Sequence, residues 1–252
     1  MPVSPARAAA FDILLRVERE SSYASELLHS PTYENLSGAD HALTTELVMG
    51  ILRWRSGLDI EIQCASTQPL AKLDLEVLIA LRLALYQFRR LDRIPQHAAL
   101  HESVELVKRA RKRSAAPFVN AVLRKLSAVK ASKPDSEEKH SSAEELSATY
   151  AHPLWLVERW VREHGLAATH QICIHNQSAP PTSIRVRDES FAASEITLAR
   201  GAILSSARHV VSGDVTKTQA FRNGQITIQD EASQLVAALV TTEASGNTRI
   251  LD

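Results

Sequence analysis

The chain has 252 residues, 44% of them hydrophobic and 23% charged, with a formal net charge of zero. That composition excludes wholesale disorder, and the length allows one large domain or, as the better expectation, two compact ones. The longest apolar stretch, 77–88, is interrupted by Arg82 and is shorter than the roughly 20 residues that cross a bilayer.

The N-terminus carries no basic segment ahead of an unbroken apolar core, so it does not read as a signal peptide. Two cysteines, Cys64 and Cys173, stand about a hundred residues apart. They build neither a disulfide framework nor a CxxC metal site, and the expected compartment is the cytoplasm. The zero net charge averages two unlike halves. Residues 1–130 hold 18 Lys and Arg against 14 Asp and Glu, and 131–252 hold 11 against 15. The asymmetry points the first half toward a polyanion.

Ser4-Pro5 starts a helix whose apolar stripe is Ala10, Ile13, Leu14 and Val17. Asp40 reads as the N-cap of the next, which carries Leu43, Leu47, Ile51 and Trp54. Residues 74–91 are apolar nearly all round, the signature of a helix through the centre of a domain. Pro95 breaks the chain, a helix with Leu100, Val104 and Val107 follows, and Pro117 reads as a second break. The last helix of the group shows Val119, Val122, Leu123 and Leu126.

Residues 132–142 have linker composition. Ser142 to Glu145 fits a capping box, and a further helix carries Leu156, Val157, Trp160 and Val161 with Gly165 as its stop. Beyond Pro180-Pro181, 183–187 and 225–229 alternate as half-buried strands do, with 191–204 between them reading as a helix. Asn223-Gly224 signals a turn. A helix is expected over 231–240, and 248–252 reads as the opening of a buried strand, which predicts a truncated chain.

Candidate chemistry concentrates near residue 110. Between Ser103 and Lys130 there are eight basic residues and one acid, Glu105. Lys108, Arg109, Arg111, Lys112 and Arg113 fall in six positions, with Arg124 and Lys125 on the next helix. Such clusters bind phosphate backbones by releasing condensed counterions. A helix dipole accounts for two or three C-terminal cations but not for five. Arg7 alone reads as a surface cation. His97 and His101 share a spacing that metals use, but no third ligand has a defined position, so no metal is expected. Trp155 and Trp160 read as core, and both cysteines as inert, partly buried thiols. The chain carries no glycine-rich phosphate loop and no nucleophile motif, so no catalytic residue is assigned.

Four segments, ARAAAFDILLRV, DHALTTELVMGILRWRSGLD, LRLALYQFRRLDRIPQHAALHESVELVKR and FVNAVLRKL, together resemble the NusB domain, an all-helical RNA-binding module. Three more, HPLWLVERW, NQSAPPTSIRV and ITIQDEASQLVAAL followed by RILD, resemble the bacterial RsmB (Sun/Fmu) 16S rRNA cytosine-C5 methyltransferases. The resemblance implies a mainly α fold: a NusB-like RNA-binding domain over 1–131, a linker over 132–142, and a helical connector with a small α/β subdomain over 143–252. That subdomain would be the incomplete start of a Rossmann-like methyltransferase.

It also implies 16S rRNA as partner, and S-adenosyl-L-methionine as cofactor of the full-length protein but not of this chain. The family's cofactor loop, Cys-Ala-Ala-Pro-Gly-Gly-Lys, would follow Asp252, and its catalytic cysteines later still. By the same resemblance Arg7, within ARAAA, becomes a candidate RNA contact, and Gln229 to Ser233 takes a supporting position beside the cofactor core. Two other readings stay open, a non-enzymatic antitermination factor and a protein–protein module. The segment after 143 discriminates against the first.

Overall fold

The computed structural model describes residues 3–129, 140–178, 180–188, 190–192 and 194–242. Lys130 and the expected strand at 248–252 lie outside these residues. The chain divides into two compact units, 1–177 and 178–252. Residues 143–177 therefore group with the N-terminal unit, whereas the sequence reading placed them with the sheet.

Six helices make up most of the first unit: α1 (Pro5–Glu20), α2 (Ala24–Leu28), α3 (Gly38–Ala65), α4 (Leu75–Arg90), α5 (Gln96–Arg109) and α6 (Ala116–Ala128). Helix α4 runs through their centre and packs against α1, α3, α5 and α6. Burying Ile79, Leu81, Leu83 and Leu85 completely contributes roughly 1.5–3 kcal/mol each.

Three polar side chains of α4 are buried as well, and each is fully engaged. Arg82 makes two 2.7 Å bonds to the Asp59 carboxylate and one to Glu18. Gln87 donates to the Leu83 carbonyl. Arg89 pairs with Glu61 and donates to the Leu126 and Val129 carbonyls at the end of α6. The Leu126 carbonyl also accepts the Val129 N–H, so Arg89 reinforces the closure of α6 where no glycine does.

Two helix starts differ from the sequence reading. Ser37, rather than Asp40, caps α3, its hydroxyl accepting the Asp40 N–H at 3.1 Å. Asp40 is the third helical residue, and its carboxylate accepts from the Ser37 hydroxyl at 2.6 Å, so the two residues brace the first turn together. Pro117 lies in the first turn of α6, where no intrahelical N–H is needed, and the break precedes it. Close packing of α3 on α4 rests on Gly50, because a Cβ there would stand 2.0 Å from Tyr86 Oη.

The unit ends with α7 (Ala143–Thr149) and α8 (Leu154–Gln177). Ser142 caps α7 by accepting the Glu145 N–H. Gly165 (φ 79°, ψ 164°) leaves the helical region, so α8 is two helices meeting there and Gly165 ends the first of them, as the sequence reading expected.

The second unit holds β1 (Ser183–Val186), β2 (Thr197–Arg200), β3 (Ala207–Ser212), α9 (Gln219–Arg222), β4 (Ile226–Ile228) and α10 (Glu231–Thr242). The strands form one antiparallel sheet in the order β2-β3-β1-β4. Ile184, Val186 and Ile226 share one face with Ile196 and Val215 over them. The helix expected over 191–204 is thus corrected: the segment contains β2, whose partners lie 8 to 15 residues onward in β3. Tertiary pairing overrides local propensity here.

Candidate nucleic-acid interface

Helix α5 ends in a reversed turn that places the basic run on a corner. The Ala110 N–H bonds the Leu106 carbonyl, that of Arg111 bonds Lys108, and that of Lys112 bonds Val107. This is a Schellman closure, and its left-handed residue is Arg111 at φ 63°. Glycine is the usual occupant. An arginine there stores about 1–2 kcal/mol of backbone strain.

The five cations of the corner differ in their surroundings. Lys108 pairs with Glu105 at 2.7 Å, Arg109 with Asp12 at 3.5 Å and Lys112 with Asp74 at 3.0 Å. The hydrogen bond from Lys108 holds the Glu105 carboxyl below the usual range. Burial pushes the Asp12 carboxyl up, against the pull of Arg109. Arg111 and Arg113 are exposed and have no acidic partner among the described residues. Among the described residues two guanidiniums of the corner are therefore uncommitted and three cations compensated.

The other expected contacts lie elsewhere. Arg124 is exposed at the far end of α6 from this corner. Lys125 donates to the Ala65 carbonyl at 3.3 Å and serves the last turn of α3. Arg7 departs from the reading that made it an RNA contact. Its side chain is only 10% exposed, and it donates to Gln87 Oε1 at 2.7 Å, Ser4 Oγ at 3.0 Å and Glu102 Oε1 at 2.9 Å. Glu102 also accepts the Ser4 N–H and hydroxyl, both at 2.8 Å. Arg7 is a strut joining α1, α4 and α5.

Trp155 is corrected likewise, being 65% exposed rather than in the core. Cys64 is exposed rather than partly buried, while Cys173 is buried and its thiol pKa is pushed up to about 11. His97 and His101 are both exposed on α5. The helical reading of 191–204 also hid the cross-strand register of β2 with β3. In the supporting segment 229–233, Glu231 accepts the N–H groups of Ala202, Ile203 and Leu204, which holds its carboxyl below the usual range.

The NusB family model matches residues 4–128, and the Methyltr_RsmF/B-like, ferredoxin-like domain model matches 152–197. The first match spans α1 to α6, and the second spans α8 and β1 and ends where β2 begins. A probable ribosomal RNA small subunit methyltransferase B of Bacillus subtilis is 32% identical over 94% of this chain and 55% of its own length. The chain carries a NusB-family domain followed by an RsmF/B-like, ferredoxin-like segment. Another RsmB relative, the ribosomal RNA small subunit methyltransferase B of Pseudomonas putida, is 29% identical over 99% of this chain and 56% of its own. The chain thus spans about half the length of the RsmB relatives it matches. The solved structure titled Crystal Structure of PH0851 shares the fold, with a TM-score of 0.63 at 17% identity over 95% of this chain and 56% of that one. Among the described residues no helix is long and apolar enough to cross a membrane.

Proposed function

We propose that this chain is the RNA-engaging portion of a cytoplasmic, S-adenosyl-L-methionine-dependent 16S rRNA cytosine-C5 methyltransferase, and that its first contact with RNA is the corner after α5. The observation that carries this reading is the exposed, unpaired Arg111 and Arg113 on a turn that already gathers three further cations. Phosphate contacts of this kind fix position on the RNA without reading its sequence. The division into an RNA-binding domain over 1–131, a linker and a connector is retained as part of the proposal. The ferredoxin-like match favours the enzyme over a free-standing binding factor, which would not require that domain.

In the reaction proposed for the complete protein a cysteine thiolate adds to C6 of cytosine, C5 takes a methyl group, and loss of the C5 proton with departure of the thiolate from C6 restores the ring. S-adenosyl-L-methionine, when bound, supplies the methyl group. The described residues do not fit that cofactor. None of them forms a glycine-rich turn between strand and helix, and the carboxylate that opens α10 is occupied by three backbone amides of its own unit. Cys173 is buried and its raised pKa keeps it protonated, which is unsuited to nucleophilic attack. No residue is therefore assigned to catalysis or cofactor binding.

The test is fluorescence anisotropy of 16S rRNA fragments against the chain and an Arg111→Ala/Arg113→Ala variant across a salt series. The expected result is weaker binding and a log–log salt slope smaller by roughly 0.7 per lost contact on single strands. An unchanged slope removes the corner from the interface. Methyl transfer to unmodified 16S rRNA is expected to be undetectable with this chain.

A further inference from the structure

We propose that Arg90, stacked on Trp54, forms with Arg53 a second phosphate contact for an RNA backbone, at the opposite end of α4 from the basic corner. This rests on the reading of the chain as RNA-binding and adds a second surface to it. Glu46, Gly50, Arg53 and Trp54 recur at i, i+4, i+7 and i+8, so they share one face of α3. Gly50 lets Tyr86 of α4 lie directly against that face, because a Cβ there would stand 2.0 Å from the tyrosine oxygen. One turn further along α4, Arg90 comes over the indole of Trp54, with Cζ 3.5 Å from the ring centroid. Arg53 and Arg90 both lie near enough to the Tyr86 hydroxyl for their charges to act on it.

Arg53, Trp54 and Arg90 are all half-buried. Resting on the ring orients the Arg90 guanidinium and strips water from one of its faces, but it does not use the N–H groups. Among the described residues neither Arg90 nor Arg53 donates a hydrogen bond or joins an ion pair. The neighbouring carboxylates are engaged elsewhere. Glu46 accepts the Tyr86 hydroxyl at 2.6 Å, and Glu61, whose charge also reaches Arg90, pairs with Arg89 at 2.8 Å. Burial pulls the Arg90 pKa below the usual arginine value, as expected of a cation that has lost water without gaining a direct partner. Polar groups withdrawn from water ordinarily have partners, so an oriented and unpaired fork is a donor set that lacks its acceptor.

A phosphodiester supplies that acceptor. Its two non-bridging oxygens match the paired N–H groups of one guanidinium, and its negative charge answers the second cation at Arg53. The placement also suits one strand touching both sites. Lys112 pairs with Asp74, the residue before α4, whereas Arg90 is the last residue of the same helix. The 16 residues of α4, rising 1.5 Å each, set the two clusters about 24 Å apart on one unit.

The experiment uses the full chain and a fluorescein-labelled single-stranded RNA long enough to span α4, with inorganic phosphate as the free-anion control. Arg53→Ala and Arg90→Ala are each expected to weaken binding and to reduce the salt slope by roughly 0.7. Arg90→Lys should restore the slope but only part of the affinity, because a point charge does not reproduce the fork. At this separation the losses should add to those of Arg111→Ala/Arg113→Ala. The indole N–H signal of Trp54, assigned with Trp54→Phe, should shift in NMR spectra on adding RNA, and not on adding inorganic phosphate at the same phosphate concentration. A merely structural stack predicts a lowered Tm with an unchanged salt slope in Arg90→Ala, and that outcome overturns the site while leaving the corner after α5 standing. If Arg90→Ala does not fold, Arg53→Ala decides by the same slope, since Arg53 holds no bond that the fold would lose. An indole that responds to inorganic phosphate but not to RNA overturns the site as well. Absence of any RNA binding by the wild type instead overturns the underlying reading, and this inference with it.

Discussion

Arg7 and Glu102 meet at 2.9 Å across 95 residues of sequence, inside a network that also takes in Ser4 and Gln87. The pair ties the first turn of α1 to the middle of α5 against the flank of α4. Their side chains are 10% and 16% exposed, so removing either partner leaves the other charge poorly solvated. Replacing one member of such a pair typically costs about 3 kcal/mol.

Arg7→Ala is accordingly expected to lower the Tm by about 6–12 °C in thermal unfolding. Arg7→Lys should recover only part of this, because one ammonium cannot reproduce the three-way fork. RNA affinity of the folded fraction should stay within twofold of wild type. A large loss of affinity with an unchanged Tm would return Arg7 to the interface.

Arg111 is expected to trade stability for binding. Arg111→Gly places the residue that favours φ 63° at the end of α5, and should stabilise the chain by about 1 kcal/mol. The same variant should bind RNA more weakly than wild type. Arg111→Ala should lose the affinity without gaining the stability. Chemical denaturation beside anisotropy separates the two effects, and a destabilised Gly variant would contradict the turn assignment.

Gly50→Ala drives a methyl group into Tyr86, whose hydroxyl donates to Glu46 Oε1 at 2.6 Å. Overpacking of this kind costs about 1–3 kcal/mol. In a Tyr86→Leu background the ring is gone, and the same change should cost much less. A double-mutant cycle measures that coupling. Additive losses would mean that α3 and α4 do not meet through this pair.

Acid should loosen α7 and α8. Burial lowers the pKa of His152, and burial together with the charge of His140 lowers that of His170, whose Nε2 lies 2.8 Å from Tyr150 Oη. The folded state therefore favours neutral rings more than the unfolded chain does. Their contribution is present above the ordinary imidazole value of 6.5 and is lost as pH falls below it toward the lowered folded values. Hydrogen exchange of the α7 and α8 amides should accelerate as pH falls below about 6.5. His170→Gln, which keeps a partner for Tyr150, should flatten that profile. A profile unaltered by the variant would assign the acid sensitivity to other groups.

The sequence by itself determined the helical first domain, because α1, α3, α4, α5 and α6 each carry their own period of apolar residues and buried faces follow that period wherever the helix packs. It also located the capped start of α7, the strands β1 and β4, and the basic run after Lys108, all of which are properties of neighbouring residues. Only the tertiary structure decided what depends on partners far along the chain. It turned Arg7 from a surface cation into a buried strut, because Glu102 and Gln87 reach it from other helices. It made a strand of the segment read as a helix, because the hydrogen bonds of β2 are supplied by β3. It set Arg200 against Arg208, since cross-strand register is invisible until the strands are paired. And it left Arg111 and Arg113 free while compensating Lys108, Arg109 and Lys112, a distinction that a count of charges along the chain does not contain.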